Sequence, residues 1–160
     1  MEIKYYEISY DDIAQISEME SRFFSTPWSE AGIAHYAEAG NTIFVVARDY
    51  ASKGPDFEYK VAGYSAIFCA FDEGNLVSIG VDEAYRGLGI ARELLDISYD
   101  MALSRGVTSI NLEVRPSNEA AISLYESEGF EKMGKRPCFY RNPTEDAALY
   151  IKQLAGDKDA

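Results

Sequence analysis

Between Ala84 and Leu95 the chain reads AYRGLGIARELL, which sets Gly87 and Gly89 at the start of a helix beside Arg86 and Arg92. A glycine-rich turn that feeds a helix leaves backbone N–H groups unpaired and lets the main chain come close to whatever they hold. The chemistry of such a turn is anion binding. Two phosphate loops fail on their own requirements. A Walker loop needs Lys and then Ser or Thr after its last glycine, where Ile90-Ala91 stands. A dinucleotide fingerprint needs a third glycine, and Arg92 occupies its place. What remains is R-G-L-G-I-A, of the form Q/R-x-x-G-x-G/A, whose amides and helix dipole suit a pyrophosphate. A plain tight turn with solvated arginines would use the same letters, so the glycines alone do not decide.

A second group with chemical capacity is Glu113, which interrupts the apolar run VTSINLEV. Ile110, Leu112 and Val114 share one face of a strand, so Glu113 points from the opposite face or into a gap beside the strand. An exposed carboxylate on the polar face of an edge strand would show the same pattern.

The elements that position these groups follow from periodicity. Glu2 to Ile8 is expected as a first strand, followed by a helix capped by Asp11 or Asp12 and carrying Ile13, Ile16, Met19 and Phe23. A short helix follows Pro27-Trp28, with Ser29 as its N-cap and Ile33 and Tyr36 on one face. TIFVVAR from Thr42 and VAGYSAIFCA from Val61 are strands joined by an exposed segment with Lys53-Gly54-Pro55, and NLVSIGV from Asn75 is a third. After the glycine turn, Ala91, Leu94, Leu95, Ser98, Met101 and Ala102 repeat at helical spacing, and Arg105-Gly106 stops the helix. VTSINLEV is a strand; a helix from about Ser117 to Glu128 closes at Gly129, and strands are expected near Phe130 to Lys135 and Ala147 to Leu154. The fold class is α/β (α+β): one mixed, mostly antiparallel sheet of about seven strands, with about four helices on both faces.

Composition limits what such a fold can serve. The 160 residues suffice for one domain with a sizeable core, expected over residues 1–160. A net charge of −12 argues against nucleic-acid binding, which needs a basic footprint, and favours a cationic partner. No apolar run approaches a membrane span, and MEIKYYEISYDD lacks the basic flank and apolar block of a secretory signal, so no membrane and a cytoplasmic location are expected. Cys69 and Cys138 are expected as free thiols, and neither has the spacing of a metal site, so no metal is expected. His35 has no partner spacing that suggests a role, and Trp28 is either a groove residue or a packing anchor.

Four stretches in order carry a resemblance. They are PWS (Pro27–Ser29), IGVDEAYRGLGIARELL (Ile79–Leu95), NLEVRPSNEAAISLYESEGF (Asn111–Phe130) and, more loosely, FYRNPTEDA from Phe139. Together they resemble the GCN-related N-acetyltransferase (GNAT) family, and within it the ribosomal-protein-alanine N-acetyltransferases of the RimI type. The run LEVRPSNEAAISLYESEGF is specific to that type, whereas the glycine turn indicates only the superfamily.

The resemblance implies a sheet splayed at a cofactor cleft, with acetyl-CoA between two neighbouring parallel strands. By resemblance the backbone of Ile79, Gly80 and Val81 pairs with the pantetheine arm. The turn formed by Arg86, Gly87, Leu88, Gly89, Ile90, Ala91 and Arg92 then holds the pyrophosphate. Asn118 matches the residue that hydrogen-bonds the cofactor, although by residue type it serves equally as a helix cap. Glu113 matches the general base and Tyr125 the general acid for the leaving thiolate; by residue type alone Tyr125 would be packing. The acceptor implied is the N-terminal alanine of a small-subunit ribosomal protein, a basic partner that an acidic enzyme attracts. An α-amine, with a pKa near 8, also deprotonates more easily than a lysine near 10.4. A monomer or weak dimer is expected. Lys135 to Pro143 departs from the family pattern of tandem tyrosines and proline, with Cys138-Phe139-Tyr140-Arg141 in that place. Two alternatives stay open: acetylation of a small amine such as a polyamine or aminoglycoside, or a non-catalytic CoA-binding regulatory module.

Overall fold

The structure, a computed structural model, describes residues 1–154; the last six residues of the expected 1–160 domain lie outside the described residues. In chain order its elements are β1 (Ile3–Glu7), α1 (Tyr10–Phe23), α2 (Glu30–Glu38), β2 (Thr42–Asp49), β3 (Lys60–Ala70), β4 (Glu73–Val81), a 3-10 turn (Glu83–Tyr85), α3 (Ile90–Ser104), β5 (Ser109–Val114), α4 (Glu119–Ser127), β6 (Glu131–Tyr140) and β7 (Glu145–Gln153). The strands form one seven-stranded sheet of order β1-β2-β3-β4-β5-β7-β6. Every neighbouring pair is antiparallel except β4 and β5.

Each face of the sheet carries its own core. On one side Leu94 and Leu95 of α3, with α4, pack on Ile67, Ile110 and Leu112 of the sheet. On the other Ile16 and Met19 of α1 and Ile33 of α2 pack on Phe44 and Tyr64. The alternation of β5 follows from this: Ile110, Leu112 and Val114 are buried, while Asn111 and Glu113 lie half-buried on the other face. No helix among the described residues is long and apolar enough to cross a membrane.

Two local expectations are corrected. The cap of α1 is Ser9, not Asp11 or Asp12. Asp12 sits one turn inside, where its Oδ2 accepts the Ser9 N–H at 2.8 Å. The same carboxylate is fully buried and takes Arg48 Nε at 3.0 Å, an Arg48 terminal nitrogen at 2.7 Å and the Tyr59 hydroxyl at 2.6 Å. The Arg48 guanidinium lies 4.8 Å from the Tyr6 ring centre and 4.7 Å from that of Tyr59. This network ties α1 to β2 and to the residue that precedes β3, a buried charge fully answered by its partners. The second correction is β6, which runs on from Lys135 to Tyr140. Pro137 and the positive φ of Cys138 (51°) break its ladder, and the register shifts between Arg136 and Tyr140. An edge strand tolerates both, and its pattern is correspondingly hard to read from sequence.

Candidate active site

The site begins where two parallel strands part. β4 and β5 pair only at Glu73–Ser109, Gly74–Ile110 and Asn75–Asn111. Just beyond, the β3–β4 register steps from Ile67–Leu76 to Ala66–Ser78, leaving Val77 as an extra residue. Such a bulge bends its strand and increases local twist, so β4 turns away from β5. From Leu76 to Val81 the β5-facing edge of β4 has no strand partner, and a cleft of about 950 Å³ opens there. Its size is in the range of small-molecule sites.

The glycine turn forms one end of this cleft. Gly87 and Gly89 have φ of 79° and 81°, and Gly89 is the N-cap of α3. Neither would bring an added Cβ within 4 Å of another residue, so glycine is required there by backbone conformation, with open space in front of it. Glu93 makes the first bond of α3, to the Gly89 carbonyl at 3.1 Å. The N–H groups from Gly87 to Arg92 therefore have no acceptor among the described residues. A row of unanswered amides at a helix N-terminus, approachable through two glycines, fits a pyrophosphate.

The two arginines serve the framework. Arg86 Nε donates to the Val81 carbonyl at 3.0 Å, and its guanidinium lies 5.0 Å from the Phe23 ring centre. Arg92 donates to Glu128 Oε2 and Ser127 Oγ, both at 2.8 Å, tying α3 to the end of α4. The Arg92 backbone amide is among those of the turn with no acceptor among the described residues. Asn118 Oδ1 caps α4 by accepting the Ala121 N–H at 3.2 Å, which leaves its amide nitrogen without a partner among the described residues. Every residue expected to hold the cofactor lines the cleft except Leu88, whose side chain is exposed at the tip of the turn.

Glu113 and Tyr125 line the same cleft from β5 and α4. The Glu113 carboxylate takes only a long contact from Asn75 Nδ2, at 3.5 Å, because that amide is committed to Asn111 Oδ1 at 2.6 Å. It is thus available to a proton donor in the cleft. Tyr125 is 7% exposed, and its ring stands edge-on to Phe130 at 5.6 Å. Burial, and then the neighbouring Tyr140, hold its phenol well above the ordinary range, so it keeps its proton throughout neutral pH. Tyr140 is itself pushed up to about 12, by burial first and by Glu113 second. Tyr140, a residue with no assigned role in the sequence, lines the same cleft as Glu113.

Other cleft residues were not singled out from sequence. Glu20 is buried and accepts from Tyr64, from Ser78 Oγ at 2.7 Å and from the Trp28 N–H at 3.1 Å. It therefore fixes the turn before α2, and Trp28 packs on Tyr36 at 4.9 Å and lines the cleft. A signal existed: Glu20 interrupts the apolar stripe Ile13, Ile16, Phe23 at a core-facing position. His35 meets only the Tyr36 ring edge, and Cys69 and Cys138 are unpaired, half-buried and exposed respectively. No cluster of three or more metal-ligating side chains occurs among the described residues.

The turn gives a direct prediction. Gly89→Val places a β-branched residue at φ 81°, at a conformational cost of roughly 1–3 kcal/mol. The Kd for acetyl-CoA, measured by calorimetric titration, should rise about 10- to 100-fold, with a smaller effect on turnover at saturation.

The chain is similar to known proteins in sequence and in fold. Residues 13–130 match the model of the acetyltransferase (GNAT) family. An uncharacterized protein of Mycobacterium leprae (strain TN) is 36% identical over 155 residues, which is 89% of this chain but 38% of that longer protein. The [ribosomal protein bS18]-alanine N-acetyltransferase of Escherichia coli (strain K12) is 34% identical over 84% of both chains. The crystal structure of the ribosomal-protein-S18-alanine N-acetyltransferase from Escherichia coli superposes with a TM-score of 0.80 at 30% identity over 97% of both chains. A chain of the NatC complex bound to Gag peptide and CoA superposes with a TM-score of 0.80 at 27% identity, over 97% of this chain and 100% of that one.

Proposed function

We infer the reaction from one premise: the chain belongs to the acetyltransferase (GNAT) family. It is an acetyl-CoA-dependent N-acetyltransferase, similar to the RimI-type enzymes over most of its length. The finer reading is that it acetylates the N-terminal α-amine of a protein. The acceptor on this reading is the alanine of a small-subunit ribosomal protein, and the enzyme works in the cytoplasm as one domain. The observation that carries the reading is the joint presence of Glu113 and Tyr125 in one cleft with the unanswered amides of the glycine turn.

Acetyl-CoA supplies a thioester carbonyl and a thiol leaving group. The amides from Gly87 to Arg92 hold its pyrophosphate, and the free edge of β4 at Ile79 to Val81 aligns its extended arm. Glu113 takes a proton from the acceptor ammonium, so that the amine attacks with a free lone pair. As the C–N bond forms and the C–S bond breaks, the Tyr125 hydroxyl donates to the departing sulfur and regains its proton from solvent, while the second proton on the new amide nitrogen passes to solvent. The net charge of −12 draws in a basic acceptor.

The test is release of free thiol from acetyl-CoA in the presence of an alanine-initiated basic peptide, with spermidine and an aminoglycoside as competing acceptors. Peptide-dependent release is the expected result. Turnover of a small amine alone would overturn the N-terminal reading, and cofactor binding without any turnover would favour a regulatory module.

A further inference from the structure

One side chain of the cleft wall has so far been given no function. Arg115 follows Glu113 by two residues, just past the end of β5, and its side chain is 21% exposed. One terminal nitrogen donates to the Pro143 carbonyl at 2.8 Å and to Glu145 Oε1 at 3.2 Å. The other donates to the Arg141 carbonyl at 2.8 Å and to Ser25 Oγ at 3.4 Å. The plane of the guanidinium also covers the Tyr140 ring, at 4.5 Å from its centre. Glu145 in turn accepts from both the backbone N–H and the hydroxyl of Ser117, at 2.9 Å each.

These bonds join three segments: the α1–α2 connection at Ser25, the β6–β7 hairpin at Tyr140 to Glu145, and the β5–α4 turn at Ser117. All three border the cleft at the Glu113 end. None of the Arg115 bonds reaches the glycine turn from Arg86 to Arg92 or the Tyr125 hydroxyl. The hairpin is also where the sequence departs from the family pattern, and Arg115 is bonded to both sides of it.

We propose that Arg115 is a positioning residue for the acceptor: it fixes the β6–β7 hairpin and Tyr140 against Glu113, and so sets where the incoming amine meets the base. The inference rests on the N-terminal acceptor reading above. A fork of five donors with a flat face is needed to serve two carbonyls, a carboxylate and an aromatic ring together. Lysine has the charge without the fork or the plane. A misplacement of about 1 Å at the acceptor can cost up to roughly 10²-fold in rate, which sets the scale of the effect.

The experiment compares wild type, Arg115→Ala and Arg115→Lys with the alanine-initiated basic peptide. It records kcat/KM for the peptide, Kd for acetyl-CoA and the thermal unfolding midpoint. Both variants are expected to lose about 10- to 10²-fold in kcat/KM for the peptide, with kcat falling as the amine is misplaced from the base, and with Kd for acetyl-CoA unchanged. Restoration of wild-type kinetics by lysine would overturn the proposal, as would parallel loss of cofactor and peptide binding. If Arg115→Ala does not fold, the Lys variant decides by the same two constants. Wild type that binds acetyl-CoA but leaves the peptide unmodified would remove the acceptor reading and this proposal with it; failure of the variants alone to discriminate would remove only this proposal.

Discussion

Glu113→Gln is expected to lower kcat for the peptide by about 10²-fold at pH 7, leaving the Kd for acetyl-CoA unchanged. General-base contributions run from about 10²- to 10⁴-fold, and the nature of the amine selects the lower end. An α-amine with a pKa near 8 is already roughly one-tenth free at pH 7, whereas a lysine near 10.4 is free in fewer than about one molecule in a thousand. Glutamine keeps the shape of the side chain and its half-buried place on β5 but cannot accept the proton. Raising the pH toward 9 should therefore recover about tenfold of the lost rate, because solvent deprotonates the amine in advance. The glycine turn is built from the 3-10 turn and α3, and none of its hydrogen bonds involves Glu113. A variant in which cofactor affinity and turnover fell together would count against the assigned role. A pH–rate profile of wild type and variant, with calorimetric titration of acetyl-CoA, makes the comparison.

Tyr125→Phe should lower kcat by a similar factor, roughly 10²-fold, again with little change in acetyl-CoA affinity. Phenylalanine retains the edge-on contact with Phe130 at 5.6 Å, so the core around α4 keeps its packing and only the hydroxyl is lost. The chemistry tolerates a phenol held above its ordinary pKa. A thiol and a phenol differ by only about 1.5 units in water, so a protonated phenol held beside the departing thiolate remains a usable donor. The raised value has a kinetic consequence with a definite sign. The protonated phenol is the active form, and burial keeps it protonated as pH rises through the ordinary tyrosine range. Wild-type kcat should accordingly show no fall assignable to this group up to about pH 10. Unchanged turnover in the Phe variant, measured by thiol release at saturating substrates, would assign the proton to another donor.

Much of this arrangement was legible in the sequence for reasons that remain visible in the structure. The apolar stripe of α3, the positive-φ glycines that open and close it, and the alternation of β5 are local signals, and each set its element with little help from distant residues. Glu113 stood out because a charge within a strand that buries Ile110, Leu112 and Val114 must face elsewhere. The splay of β4 from β5 could be taken only from the family resemblance, since it depends on the extra residue Val77 opposite β3, which no periodicity marks. The sequence assigned the anion to the backbone amides of the turn, but it gave no sign that the Arg86 and Arg92 side chains bond Val81, Glu128 and Ser127. Arg115, Tyr140 and Glu20 gained their places from contacts across 20 to 90 residues of sequence, such as Arg115 with Ser25 and Glu20 with Ser78. Side-chain hydrogen bonds of that span leave no trace in local spacing.

Product analysis tests most directly whether an amine at a protein N-terminus meets Glu113. An alanine-initiated basic peptide with internal lysines is incubated with the enzyme and acetyl-CoA, and fragmentation mass spectrometry locates the added acetyl group. A single acetyl on the α-amine of the first residue, formed by wild type and reduced about 10²-fold by Glu113→Gln, is the predicted result. An acetyl group on lysine side chains, or an unmodified peptide beside acetylated spermidine, would contradict it.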